Sequence, residues 1–369
     1  MEGANDFMVS VSLCMIVKDE EDVLARCLDS AKDFLDEIII VDTGSTDSTK
    51  SIARRYTDQV FDFKWVDHFA KARNFAFQHA TKDYIFWLDA DDVLTQEGQQ
   101  EFVKLKETLD PSIDSVTMDY YLAFDEYGNV TSTLKRNRLV KRERNFQWIG
   151  AVHEYLEVGG NIFNSEIAVI HKSEHHDTDR NLNIYEKRLS HGEELSTRDL
   201  YYFANELMDH RMYERAIYYY EKFLKTRKGW VEDNIAACGK MADCYLELGR
   251  HELEFNSILR SFQYDRPRPE FCCRLGYHFL QKNELRTAIF WYELITDNQS
   301  RDTLGQVNLA CSTWLPHLQL CVCYDRIGEY NLAYHHNELA RQYRPDDQLI
   351  LYNKKYLEPL IGRGDDEEK

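Results

Sequence analysis

A chain of 369 residues with 43% apolar content and a formal charge of −19 exceeds a usual single core and has ample material to fill two. That acidity excludes a nucleic-acid partner, whose phosphates it would repel. No stretch approaches the roughly eighteen uninterrupted apolar residues that a membrane span needs.

The opening Met1-Glu2-Gly3-Ala4-Asn5-Asp6 lacks the charged-then-apolar pattern of a secretion leader, so a cytoplasmic location is expected. Residues 9–17 alternate and then run apolar, which predicts a first strand ending in Lys18-Asp19-Glu20-Glu21. A helix follows, with Val23, Leu24, Cys27 and Leu28 on one face. Glu37-Ile38-Ile39-Ile40-Val41-Asp42 reads as a second, buried strand that again ends in a carboxylate. Thr43-Gly44-Ser45-Thr46-Asp47-Ser48-Thr49 then supplies a turn glycine, small hydroxyl residues and a helix N-cap. Phe69-Ala70-Lys71-Ala72-Arg73-Asn74 opens another helix. After it, Tyr84-Ile85-Phe86-Trp87-Leu88 delivers Asp89-Ala90-Asp91-Asp92 to the end of a further strand. This alternation predicts an α/β unit with a mostly parallel sheet.

Carboxylates are costly to bury unpaired, so they belong where strands leave the core, the edge at which open α/β sheets bind ligands. Oxygen ligands so clustered suit a hard divalent cation, which commonly arrives with substrate phosphates. The run therefore points to a nucleotide-diphosphate site, although Asp-rich strand ends also serve as plain turns. Asp42 is placed to accept a hydrogen bond from the base, or else to cap the next helix. Against the acidic background, Lys135, Arg136, Arg138, Lys141, Arg142 and Arg144 concentrate six cations in ten residues. They read either as a solvated hairpin or as a source of guanidinium groups for a diphosphate.

Near residue 178 the pattern changes. A linker helix is expected over 179–197, and helical pairs fill 198–360. Ala204, Leu207, Ala216 and Tyr220 have offsets of 3, 12 and 16, which Gly276, Phe279, Ala288 and Tyr292 repeat. Cys321, Tyr324, Ala333 and Ala340 mark a last unit, closed by Pro345. Ala242 and Tyr245 mark a degenerate one in which Glu254 replaces the second small residue. Small residues let paired helices approach and aromatics fill the groove, so three to four tetratricopeptide-like units are expected. The tail 361–369 reads as disordered and acidic. None of the nine cysteines forms a Cys-x-x-Cys pair, and most fall in helical apolar patterns, which predicts reduced core thiols.

On these motifs, residues 9 to about 175 resemble a family-2 glycosyltransferase of the GT-A (Rossmann-like) fold. The resemblance rests on Val17-Lys18-Asp19-Glu20-Glu21, Val41-Asp42-Thr43-Gly44-Ser45-Thr46-Asp47, Ala72-Arg73-Asn74 and Asp89-Ala90-Asp91. Trp148-Ile149-Gly150-Ala151-Val152-His153-Glu154 is similar to the family's acceptor-side Gly-x-x-His-Glu element, and His171 to its metal-ligand histidine. With its helical second half the chain looks like the tetratricopeptide-bearing subgroup, which includes sublancin-type bacteriocin S-glycosyltransferases and enzymes proposed to glycosylate flagellin.

The resemblance implies inverting transfer from a UDP-sugar to a peptide or protein acceptor, at cysteine, serine or threonine, with a sugar acceptor as the alternative. It implies Asp91 and His171 as ligands of Mn2+ or Mg2+, with Asp89 on the ribose or reaching the metal through water. Lys18, Asp19, Glu20, Asp42, Gly44, Ser45, Arg73 and Ala90 would line the nucleotide-sugar site, and Arg138 would reach the diphosphate. Asp at position 19, where the family commonly has Asn, leaves the base contact there open. Glu154 is the preferred general base and His153 the runner-up, since neighbours in an extended chain point oppositely. A homodimer is implied only by the same likeness. His175 and His176 read as surface histidines. A sugar-phosphate nucleotidyltransferase would want a Gly-rich loop after the first strand, where Lys18-Asp19-Glu20-Glu21 stands. A non-catalytic repeat scaffold would not need the intact Asp89-Ala90-Asp91, Glu154 and His171.

Overall fold

The computed structural model describes residues 8–172, 178–296 and 305–361. The chain divides into two compact units, one of residues 1–123 with 133–194 and the other of 124–132 with 195–369. His175, His176 and the tail from 362 onward lie outside the described residues.

In the first unit the elements follow one another as β1 (Val11–Val17), α1 (Leu24–Asp29), β2 (Glu37–Asp42), α2 (Thr49–Ala53) and β3 (Val60–Asp62). Then come α3 (Phe69–Gln78), β4 (Tyr84–Trp87), β5 (Asp92–Leu94), α4 (Gln96–Thr108), β6 (Ser115–Phe124) and β7 (Val130–Lys141). The unit ends with β8 (Gln147–Ile149), β9 (Tyr155–Glu157), β10 (Ile162–His171) and α5 (Thr178–Ser190). Spatially the sheet runs β3-β2-β1-β4-β7-β6-β10-β5, with β8 and β9 pairing separately.

From β3 to β4 every pairing is parallel, as the alternation of strands and helices predicted. Beyond β4 the sheet is mixed: β7 joins β4 antiparallel, β10 joins β6 parallel, and β5 joins β10 antiparallel. The physical reason is the connection between β6 and β7. Residues 125–129 are too few for the crossover a parallel pair requires.

Strand alternation divides the core between the two faces of the sheet. Leu13, Met15, Ile40 and Phe86 join α1 and α4 through Leu24, Leu28 and Phe102. Cys14, Ile39, Val41, Ile85 and Trp87 pack on the α3 side with Ala70, Ala76 and Trp148. With both faces covered, the C-terminal ends of β1, β2 and β4 are what remains for polar groups, and the acidic loops emerge there.

The second unit contains α6 (Thr197–Asp209), α7 (Tyr213–Thr226), α8 (Val231–Glu247), α9 (His251–Arg260), α10 (Pro269–Gln281) and α11 (Leu285–Thr296). It continues with α12 (Trp314–Arg326), α13 (Tyr330–Tyr343) and α14 (Gln348–Leu357). Each expected repeat position falls on its helix. Ala204, Ala216, Ala242, Ala288, Ala333 and Ala340 are all fully buried, as close helix approach requires. Gly276 shows the limit of that approach: a Cβ there would come within 2.6 Å of the Tyr292 ring. At the degenerate repeat, Glu254 stays partly exposed and pairs with His251 at 3.2 Å, on the shortest of the paired helices. All nine cysteines are free and buried. No helix among the described residues is long and apolar enough to cross a membrane.

One polar contact in this unit has a pH signature. His317 on α12 and His336 on α13 face each other with their Nδ1 atoms 3.0 Å apart, so one must donate and the other must stay unprotonated. The His336 ring also lies parallel to Tyr324 at 5.5 Å, and His335 sits beside it. Burial, with the neighbouring His317 and His335, pushes His336 down to about 4 from its usual 6.5. The unfolded chain therefore takes up a proton that the folded one refuses. The stabilisation is complete above about 6.5 and drains away as the pH falls toward about 4. Urea denaturation at pH 7 and pH 5 should show the second unit weakening in acid. His336→Gln should flatten that dependence, and an unchanged slope would dismiss this pair as its source.

Candidate active site and metal centre

Two loops at the sheet edge are tied together by their own backbones. The Asp19 amide donates to Ser45 Oγ at 2.9 Å, and the Thr46 amide returns a bond to Asp19 Oδ1 at 2.7 Å. The Glu20 amide donates to Thr49 Oγ1 at 2.7 Å, and the Ser48 amide to Glu21 Oε2 at 2.9 Å. Asp19 adopts a left-handed φ of 54°, which short acidic residues tolerate best after glycine, and Gly44 adopts 113°. Lys18, Asp19 and Gly44 are exposed on this rim.

Asp42 does not offer the open acceptor that a base contact was expected to use. It is 1% exposed, and its carboxylate accepts from the amides of Gly44 at 3.0 Å and Ser45 at 3.1 Å, with Lys50 at 3.8 Å. It closes the turn that shapes the loop, close to the capping alternative read from the sequence.

The centre of the site is Arg73, carried on α3 and buried. Its Nη2 donates to Asp89 Oδ1 at 2.6 Å and its Nε to Glu154 Oε1 at 2.5 Å. The guanidinium lies over the Trp148 ring at 4.7 Å and the Trp87 ring at 5.1 Å. The next residue, Asn74, fixes the partner loop. Its side chain donates to the Trp148 carbonyl at 2.9 Å and accepts from the Trp148 amide at 2.8 Å. The amide of Phe69 also donates to the Ala151 carbonyl at 2.8 Å. One helix thereby positions both the cation and the segment 148–154 that it binds. Burial alone would raise the Asp89 carboxyl, but the charges of Arg73 and Arg138 overcome it and hold it well below the usual range. Asp89 thus pairs with Arg73 through Oδ1, and its carboxylate is not among the ligand atoms that converge with His171. His153 takes a left-handed φ of 49°, so it and Glu154 are not neighbours in an extended chain as expected.

A group that could hold a metal ion is Asp91, Asp92 and His171, whose ligand atoms lie within 4.8 Å of one another. The register of β5 on β10 sets His171 opposite Asp92. His171 Nδ1 is 3.5 Å from Asp91 Oδ1 and 3.8 Å from Asp92 Oδ1. The proximity of these two carboxylates, Asp91 first, pushes the imidazole up to about 10. Nearby, burial and then the charges of Asp91 and Asp89 push the Glu20 carboxyl up to about 7. Such an excess of negative charge, with two carboxylates and an imidazole in reach, fits a divalent cation.

Asp92 carried no role in the sequence reading, and it is the deepest member. Its Oδ1 accepts from the Tyr120 hydroxyl at 2.8 Å, and the same hydroxyl lies 2.9 Å from His171 Nδ1. Its Oδ2 accepts from the Asp89 amide at 2.9 Å and pairs with Arg138 Nη1 at 2.9 Å. Asp92 and Arg138 are both wholly buried, and the Arg138 guanidinium lies 4.0 Å from the Trp87 ring and 4.5 Å from the Tyr120 ring. Arg138 therefore cannot reach a diphosphate: the position expected to do so is the counter-ion of Asp92. A sequence signal existed for Tyr120, since Val116, Met118 and Tyr120 alternate onto the buried face of β6. Nothing local distinguished Asp92 from Asp91, because the turn in which the Asp92 amide donates to the Asp89 carbonyl decides which carboxylate faces inward.

A buried ion pair is costly to break from one side. Arg138→Met should lose about 3–5 kcal/mol in urea denaturation, and adding Asp92→Asn should restore part of the loss. A single variant as stable as the native chain would show that the pair is not holding this end of the sheet.

Comparison with known proteins matches residues 12–156 to the glycosyl transferase family 2 model. The chain is 30% identical over 239 residues to the SPbeta prophage-derived glycosyltransferase SunS of Bacillus subtilis, covering 59% of this chain and 54% of that protein. A TPR repeat-containing protein of Synechococcus elongatus is 49% identical over 94 residues, 26% of this chain and 23% of its own length. An uncharacterized glycosyltransferase of Rickettsia prowazekii is 33% identical over 117 residues, 32% of this chain and 37% of that one. The chain thus spans about half or less of the length of the curated relatives it matches. Residues 12–156 thus match the family-2 glycosyltransferase model, and a tetratricopeptide-like helical array follows them in the chain.

Proposed function

We propose that this protein is a metal-dependent, inverting glycosyltransferase that moves a hexose or N-acetylhexosamine from a UDP-sugar to a cysteine, serine or threonine of a peptide or protein. The observation that carries this reading is the convergence at one sheet edge of Arg73, Asp89, Asp91 and Glu154, all from the family-matching stretch, with His171.

Asp91 and His171, both partly exposed, would hold Mn2+ or Mg2+, with Asp92 anchoring them from beneath. The cation, when bound, supplies Lewis-acid stabilisation of the departing diphosphate. The paired loops at Lys18–Glu21 and Gly44–Ser45 offer the rim on which base and ribose would rest, with Asp42 shaping it. Ala90, small and buried, lets the turn between Asp89 and Asp91 stay tight.

Glu154 is the preferred acceptor-side base. Arg73 holds its Oε1, which leaves Oε2 to take a proton from the attacking hydroxyl or thiol. A thiol acceptor needs less of this help, because thiols ionise near about 8.5. His153 is the alternative base. The helical array is proposed to present the polypeptide, since stacked repeats build extended concave binding surfaces.

Turnover of UDP-sugars with Mn2+ present should vanish on chelation and in Asp91→Ala. Persistence in EDTA would remove the metal from the reading. Glu154→Gln should lower turnover by about 10²–10⁴ while UDP binding stays near native. Full activity in that variant would pass the base role to His153.

A further inference from the structure

Arg138 lies beneath the site, so the cation that would meet a donor's diphosphate has to be sought elsewhere. Arg73 is committed to Asp89 and Glu154, and Arg138 to Asp92. Two residues before Arg138 on β7 stands Arg136. Strand alternation sets Arg136 and Arg138 on one face, while Lys135 turns to the other and pairs with Asp119 at 2.9 Å.

The two arginines share the same aromatic bed at different depths. Arg136 lies 4.9 Å from the Tyr120 ring and 5.8 Å from the Trp87 ring, and it is only partly buried. Tyr120 is also the residue whose hydroxyl touches both Asp92 and His171. Arg136 therefore stands one aromatic ring away from the metal-ligating group.

Among the described residues no ion pair or hydrogen bond occupies the Arg136 guanidinium. A planar group with five donors, set against two aromatic rings and one ring away from an acid cluster that could hold a cation, is suited to phosphate oxygens. Stacking also restricts its rotamers, so less freedom is lost when it binds.

We propose that Arg136 is the binding residue for the diphosphate of the nucleoside-diphosphate donor, one strand step outward from the buried arginine that the motif pattern favoured. The assignment rests on the donor class proposed above. It is tested by equilibrium binding, with no need for turnover. In buffer containing Mg2+, UDP is titrated into the native chain, Arg136→Gln and Arg136→Lys by calorimetry, and uridine is titrated by ligand-observed NMR. Arg136→Gln should weaken UDP by about tenfold or more and leave uridine unchanged, with Arg136→Lys in between. Equal UDP affinity in Arg136→Gln and the native chain overturns the assignment while leaving the donor class standing. An equal loss for UDP and uridine also overturns it, because that pattern means a deformed pocket. A native chain that binds neither probe removes the donor class, and this assignment with it.

Discussion

Arg73 is the constraint on which the site depends. Its guanidinium is buried between two tryptophan faces and binds two carboxylates from distant parts of the chain, one after β4 and one after β8. Each carboxylate alone would be costly to hold in such surroundings, and the two together would repel. The cation makes their proximity favourable. It does so from a helix whose next residue, Asn74, also clamps the second carboxylate's loop. The distance between Asp89 and Glu154 is thereby set by one side chain of fixed shape.

A second buried pair repeats the logic one layer down. Arg138 neutralises Asp92, Asp92 receives the Tyr120 hydroxyl and the Asp89 amide, and Tyr120 touches His171. The open members of the acidic group, Asp91 and His171, are thus supported by residues that are themselves buried. Such supporting contacts fix the orientation of metal-ligating side chains. The two arginines divide the work by depth: Arg73 organises the surface of the site and Arg138 its floor.

Much of this architecture is legible in the amino-acid sequence. The near-continuous burial of β1, β2 and β4, the carboxylates at their ends and the small-residue offsets of the helical pairs all fall where the pattern put them. These features are local, set by a short apolar run or by a fixed helical spacing. The mixed half of the sheet was not legible, because it follows from the short link between β6 and β7. The roles of Arg138 and Asp92 were hidden for a related reason. Depth within a strand end depends on how the chain turns after Asp89, and composition carries no sign of it. Arg136 and Arg138 look alike in sequence, yet their burial separates them completely.

The burial of every cysteine has a practical consequence for handling this protein. A thiol-directed alkylating reagent will find no target on the folded chain, so labelling reports opening of the structure. Cys14 and Cys27 report the sheet-bearing unit, and the other seven report the helical one. Mass-resolved labelling along a denaturant series would therefore give the unfolding of each unit separately, with no added probe and no substitution.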